Sequence, residues 1–97
     1  MRNYLTKKHF TKAERVFGRC LQELKIPFKT KIKINNFEID FLVGNWAIEI
    51  DGHEQVGEKN AQLVVLGYIP IHFSNQEIIK GREKIKEIIK NESNTFS

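Results

Sequence analysis

The sequence has little of several features that mark particular protein classes. It contains one cysteine among 97 residues, Cys20, and this excludes a framework of internal disulfide bonds. It has no apolar run at its N-terminus, so we expect neither a signal peptide nor a membrane span. Three scattered histidines and the absence of a cysteine cluster argue against a zinc site. We therefore expect an intracellular, cytoplasmic protein in which residues 1–97 form a single domain around one modest core.

Positive charge is concentrated in the first third of the chain. Residues 1–33 carry ten Lys and Arg against two Glu, a net charge of +8, whereas the remaining residues carry six against ten, a net charge of −4. This division favours a polyanion-binding face beside an acidic site, and nucleic acid is the natural partner. A basic helix and strand that are merely solvated would give the same charge count, so that alternative stays open.

The hydrophobic pattern predicts the element order α-β-β-β-α-β-α. Residues 1–9 have no clear period and are expected to form a basic arm. Thr11 and Glu14 form a Thr-x-x-Glu capping signature at the start of the first helix. One stripe of this helix is apolar and comprises Phe10, Ala13, Phe17, Cys20, Leu21 and Leu24.

Three alternating runs then predict a meander of antiparallel strands, with tight turns at Asn35-Asn36 and Gly44-Asn45. A helix over 57–66 should lead to a fourth strand over 68–73, parallel to its neighbour and at an edge because of Pro70. Gly81 should divide the last helix, and residues 91–97 should form a flexible tail. One face of the meander is expected to be continuous core, made of Ile32, Ile34, Phe37, Ile39, Phe41, Val43, Trp46, Ile48 and Ile50.

Four carboxylates fall on the opposite face of the second hairpin. Counting outward from its turn puts Asp40 opposite Glu49 and Glu38 opposite Asp51. Like charges directly opposite each other destabilise a hairpin, so a cation must neutralise them. Hard oxygen ligands favour Mg²⁺, with Mn²⁺ as a substitute, over Zn²⁺.

Lysines of the first strand offer a second way to neutralise these carboxylates. The predicted register places Lys33 opposite Glu38 and Lys31 opposite Asp40, which would make cross-strand ion pairs on a solvated face. Glu14 also has two interpretations, since its side chain could close the capping box or serve an active site. Both can hold at once.

The order of these residues resembles a known family. Asp40, the Glu49-Ile50-Asp51 triplet and Glu14 look like the PD-(D/E)xK nuclease superfamily. The stretches 47–53 and 66–75, AIEIDGH and LGYIPIHFSN, are similar to its very-short-patch-repair endonuclease branch. That branch also supplies the catalytic domain of some phage intron homing endonucleases, with the pattern E-D-x-H-D. The resemblance implies a restriction-endonuclease-like α/β core, a mixed sheet flanked by helices, in a bacterial or phage-encoded Mg²⁺-dependent deoxyribonuclease.

The resemblance also implies roles for individual residues. Asp40 would be the principal metal ligand, and His53 would assist the attacking water or the leaving group. Asp51 stands where the family has a lysine, so charge stabilisation could move to Lys59, Lys31 or Gln55. The implied catalytic residues are Glu14, Asp40, Glu49, Asp51, His53 and Lys59. The implied metal ligands are Asp40, Glu49, the Ile50 backbone carbonyl and Glu14, the last bound directly or through water. The implied DNA-binding residues are Lys7, Lys8, Lys12, Arg15, Lys31 and Gln55.

Two departures from the family pattern keep another function open. The triplet lysine is missing, and the last Asp of E-D-x-H-D has no clear counterpart, although Asn60 lies near that place. These departures favour a non-catalytic nucleic-acid-binding module with ion-paired carboxylates. A protein-interaction domain is a third, weaker possibility. Because no groove-entering element is visible, we expect appended DNA-binding domains or a homodimer partner to supply sequence specificity.

Overall fold

The computed structural model describes residues 10–50 and 57–92, which form eight elements. In chain order these are α1 (Lys12–Glu23), β1 (Lys29–Ile34), β2 (Phe37–Val43), β3 (Trp46–Ile50), α2 (Gly57–Val65), β4 (Ile69–Phe73), α3 (Asn75–Lys80) and α4 (Arg82–Glu92). The predicted element order is confirmed, with the last predicted helix present as two.

The four strands form one mixed sheet in the order β1-β2-β3-β4. β1 to β3 are antiparallel neighbours, and β4 pairs with β3 in the parallel sense at the sheet edge. Residues 34 and 37 are paired, as are residues 43 and 46, so both predicted two-residue turns are confirmed. Asn35 and Gly44 take the positive φ values, 56° and 59°, that such turns demand.

The helices begin and end where local chemistry requires. Capping boxes start α1 at Thr11 and α3 at Ser74. Gly81 separates α3 from α4, and a Cβ atom there would lie 2.8 Å from the Glu77 carbonyl oxygen. Residues 91 and 92 of the predicted tail belong to α4, while residues 93–97 and the predicted arm, residues 1–9, lie outside the described residues. Within the described part, no helix is long and apolar enough to cross a membrane.

Two hydrophobic clusters lie on opposite faces of the sheet. The larger joins the sheet to α1, α3 and α4 and is centred on Phe17, Phe41 and Ile48. The smaller lies under α2, where Leu63 packs on Ile34, Ile39 and Ala47. The sheet is therefore covered by helices on both faces, as the sequence predicts.

The prediction of one continuous apolar face on the meander is wrong. Phe28 and Phe41 belong to the larger cluster, but Ile32 and Ile39 belong to the smaller one. Side chains an even number of residues apart share a face in a regular strand. The chain therefore changes faces within β2 between Ile39 and Phe41, and also between Phe28, just before β1, and Ile32. The pairs Thr30–Phe41 and Ile32–Ile39 flank the change, which places it at the rung formed by Lys31 and Asp40.

Candidate functional site

Glu14 is the only buried charged residue of the described segments, with 6 % of its surface exposed. Its Oε1 accepts a hydrogen bond from the Thr11 backbone N–H at 3.0 Å, and its own N–H donates to Thr11 Oγ1 at 3.1 Å. Its Oε2 faces the Lys31 ammonium at 3.3 Å. The capping box thus fixes one carboxylate oxygen and leaves the other directed at β1, so closing the capping box does not prevent Glu14 from binding a further partner.

Lys31 reaches this position because its backbone departs from strand geometry. Its φ is 50°, in the left-handed region that a non-glycine residue occupies at a cost of about 1–3 kcal/mol. The ammonium lies 5.5 Å from the centre of the Phe10 ring and 3.5 Å from Asp40 Oδ1. One cation therefore lies between a carboxylate of α1 and a carboxylate of β2.

Asp40 also acts on the backbone of the neighbouring strand. The β2–β3 ladder pairs residues 43 with 46, 42 with 47 and 41 with 48. One residue beyond it, Asp40 Oδ2 accepts a hydrogen bond from the Ile50 backbone N–H at 2.9 Å. The Asp40 carboxylate therefore accepts a backbone hydrogen bond of the kind that a carbonyl oxygen accepts in a regular sheet. This hydrogen bond fixes the orientation of the Asp40 carboxylate.

The electrostatics of Lys31 reflect this enclosure. Partial burial lowers the pKa of its ammonium, but attraction to Glu14 and then to Asp40, with hydrogen bonds to both, outweighs burial, and the pKa is raised overall. Lys31 is accordingly a cation at neutral pH. The expected cross-strand ion pair with Asp40 is present, and Glu14 adds a third member.

Glu49 belongs to a second ion pair. Its carboxylate contacts the ammonium of Lys59 from α2, which also donates to the Glu38 carbonyl oxygen at 3.4 Å. Electrostatic interaction links Lys59 to Asp40 as well. The close contacts nevertheless differ, since Glu49 contacts Lys59 and Asp40 contacts Lys31, because the change of faces directs Asp40 toward α1.

His72 is not among the predicted site residues. The parallel register places it beside Glu49, and both line a small cavity of about 40 Å³ with Lys59 and Asn60. Its side chain is exposed. The feature that brings His72 to Glu49 is the register between β3 and β4. Predicting this register from sequence would require the length of the connection through α2.

The predicted site residues are brought together only in part. Glu14, Asp40 and the Ile50 backbone meet at Lys31, and Glu49 meets Lys59. Within 10–50 and 57–92, no three His, Cys, Asp or Glu side chains are clustered closely enough to hold a metal ion. Five of the predicted residues lie outside the described residues: Lys7, Lys8, Asp51, His53 and Gln55.

The donor set nevertheless fits a hard divalent cation. Two carboxylates from different elements direct one oxygen each at a common position, which the Lys31 ammonium holds at 3.3 and 3.5 Å. Mg²⁺ needs oxygen ligands at about 2.0–2.1 Å and often takes only one or two carboxylates, keeping several waters. The pair therefore suits such an ion, provided that the ammonium moves and the oxygens approach more closely.

The predicted DNA-binding residues differ in how they are placed. Lys12 is exposed on α1, whereas Arg15 is half-buried and donates to the Phe10 carbonyl oxygen at 2.7 Å. Lys31 is directed into the carboxylate pair and not toward solvent. Two other lysines of β1, Lys29 and Lys33, are exposed and are therefore accessible to DNA phosphates, as Lys12 is.

Comparisons with known proteins bear on the fold. No protein-family model matches the chain, and no curated protein matches it. The structure is similar to that of the homing endonuclease I-Bth0305I catalytic domain, with a TM-score of 0.70 and 21 % sequence identity. The match covers 91 % of this chain and all of that domain. The α-β-β-β-α-β-α-α arrangement described above is thus one that a nuclease catalytic domain also has.

Proposed function

We propose that this chain is a metal-dependent DNA endonuclease, the catalytic domain of a homing or repair-type nuclease. The observation that carries the proposal is the meeting of Glu14 and Asp40 at one cation position. The fold shared with a homing endonuclease catalytic domain supports it. We further propose that the chain belongs to the PD-(D/E)xK superfamily and to its very-short-patch-repair-like branch.

In this function Glu14 and Asp40 hold Mg²⁺ or Mn²⁺, with the Ile50 backbone carbonyl as a third donor. A bound divalent ion supplies charge stabilisation to the phosphodiester and lowers the pKa of an attacking water. The hydrogen bond from the Ile50 N–H keeps one Asp40 oxygen in place, and the capping box does the same for Glu14. Both ligands are therefore positioned before a metal or a substrate arrives.

The remaining residues bind the DNA or orient the side chains next to the metal ligands. Lys12 and Arg15 on α1, with the basic residues 1–9, neutralise DNA phosphates. Lys59 keeps Glu49 oriented beside the metal ligands. We assign His53 the task of assisting the water or the leaving group. We assign Asp51 to the catalytic set and Gln55 to charge stabilisation or DNA binding.

A non-catalytic DNA-binding module is the second candidate. The observation that favours it is the Lys31 ammonium itself, which neutralises Glu14 and Asp40 without a metal. In such a module the basic surface would bind phosphates and the carboxylates would only stabilise the fold.

Plasmid cleavage separates the two candidates. We expect the chain to nick or cut supercoiled DNA with Mg²⁺ or Mn²⁺ and to lose this activity in a chelator, because the carboxylates cannot activate water alone. DNA binding should persist in the chelator and weaken with added salt. Duplex binding without cleavage in any divalent cation would leave only the binding module.

A further inference from the structure

The Lys31 ammonium lies at the position that a divalent cation needs. It is 3.3 Å from Glu14 Oε2 and 3.5 Å from Asp40 Oδ1, and these are the oxygens that the Thr11 and Ile50 backbone groups leave available. We propose that Lys31 is an internal counter-cation, which holds the two carboxylates together in the free protein and is displaced when the metal binds. This inference rests on the proposed metal-dependent function.

The burial of the three side chains makes Lys31 more than a surface partner. Side-chain exposure is 8 % for Glu14, 19 % for Asp40 and 27 % for Lys31. Two partly buried carboxylates that face one position repel each other unless a cation lies between them. The ammonium supplies that cation while the metal is absent, so the ligands keep their places.

The backbone of β1 is shaped for this contact. The φ of 50° at Lys31 lies at the rung where both strands change faces, and it directs the side chain toward α1. The Phe10 ring, itself buried, lies 5.5 Å from the ammonium and adds a cation–π contact. A lysine that served only solubility would gain nothing from this unfavourable conformation.

Competition follows because the ammonium and the metal need the same two oxygens. The metal can bind only the fraction of molecules in which Lys31 has moved away, and its apparent affinity falls by that fraction. Removing the ammonium should therefore strengthen metal binding, even though it removes a favourable contact from the free protein. A lysine that merely supported the fold would give the opposite result.

The test compares Mn²⁺ binding by the wild-type chain, Lys31→Met and Lys33→Met, without DNA, by calorimetry or by the electron paramagnetic resonance of free Mn²⁺. Methionine keeps an unbranched stem against Phe10. Lys33 is exposed and two residues along the same strand, so its loss controls for net charge. We expect Lys31→Met to bind Mn²⁺ about tenfold more tightly than wild type, and Lys33→Met to stay within about twofold. Equal affinities for the two variants, or weaker binding by Lys31→Met, would overturn the proposal.

A measurement on the wild-type chain covers the case in which Lys31→Met does not fold. The ¹⁵N signal of the Lys31 ammonium should shift as Mg²⁺ is added, and by more than the signals of Lys29 and Lys33. An unchanged signal at saturating Mg²⁺ would also overturn the proposal.

The proposed function and this inference fail in different ways. A wild-type chain that cleaves DNA with Mn²⁺ while Lys31→Met and Lys33→Met bind the ion equally would contradict only the role of Lys31. A wild-type chain and Lys31→Met that neither bind Mn²⁺ nor cleave DNA would contradict the metal-dependent function and this inference with it.

Discussion

Replacing Asp40 with asparagine should abolish DNA cleavage while leaving the fold in place. Asparagine keeps a carbonyl oxygen that can accept the Ile50 N–H, but it loses the negative charge that faces Lys31. A bound metal supplies several kcal/mol of transition-state stabilisation, and about 4 kcal/mol corresponds to about a thousandfold in rate. We therefore expect Asp40→Asn to reduce the rate of plasmid nicking by about a thousandfold or more.

Glu38→Gln is the matched control for Asp40→Asn. Glu38 lies two residues away on β2, is exposed, and accepts a hydrogen bond from Lys59 through its backbone carbonyl, which the variant retains. Its neutral variant should nick DNA at a rate within a few fold of wild type, and both variants should bind duplex DNA as wild type does. Equal activity in Asp40→Asn and Glu38→Gln would show that the Asp40 carboxylate takes no part in the chemistry. Thermal melting of each variant checks that the fold is retained.

Replacing Phe17 with alanine should cause a large loss of stability. The side chain is fully buried, and its ring packs against Phe41 at 5.0 Å between centroids and against Phe73 at 5.7 Å. Truncating a buried Phe to Ala typically costs about 3–5 kcal/mol, from a total stability of roughly 5–15 kcal/mol. For a domain of this size, each kcal/mol lowers Tm by roughly 4–8 °C, so a decrease of more than about 12 °C is expected.

This core contact also controls the candidate site. Phe17 lies one turn after Glu14 on α1, and Phe41 follows Asp40 on β2. The Phe17–Phe41 contact thus sets the distance between the two carboxylates, and its loss should weaken Mn²⁺ binding even below the melting temperature.

Phe28→Ala is the control for the Phe17 prediction. Phe28 also packs against Phe41, at 5.7 Å between centroids, but it is only half-buried. Its truncation should cost clearly less free energy of unfolding than that of Phe17, as measured by chemical denaturation. A larger loss from Phe28→Ala than from Phe17→Ala would mean that α1 is not the main support of β2.

Local sequence signals were sufficient for the elements of this fold. The capping boxes at Thr11 and Ser74 depend on residues three apart, and the hairpin turns depend on Asn35 and Gly44, whose types tolerate positive φ. Gly81 divides the last helix for an equally local reason. Such features need no tertiary contact to be predicted, because the residues that determine them are close in sequence.

The change of faces at the Lys31–Asp40 rung could not be predicted in that way. Strict alternation continues through both strands in the sequence, and a lysine at positive φ has no signature of its own. Only the packing of Ile39 toward α2 and Phe41 toward α1 reveals the change. The contact of Lys59 with Glu49 was likewise hidden, because it depends on how α2 crosses the sheet.

The position of Mn²⁺ in crystals soaked with the ion tests the central claim most directly. The claim is that Glu14 and Asp40 together form a divalent-cation site. We predict an anomalous peak in contact with both carboxylates, where the Lys31 ammonium lies in the free protein, and with that ammonium moved aside. The absence of a peak there at Mn²⁺ concentrations that saturate cleavage, with Lys31 still between the carboxylates, would contradict the claim.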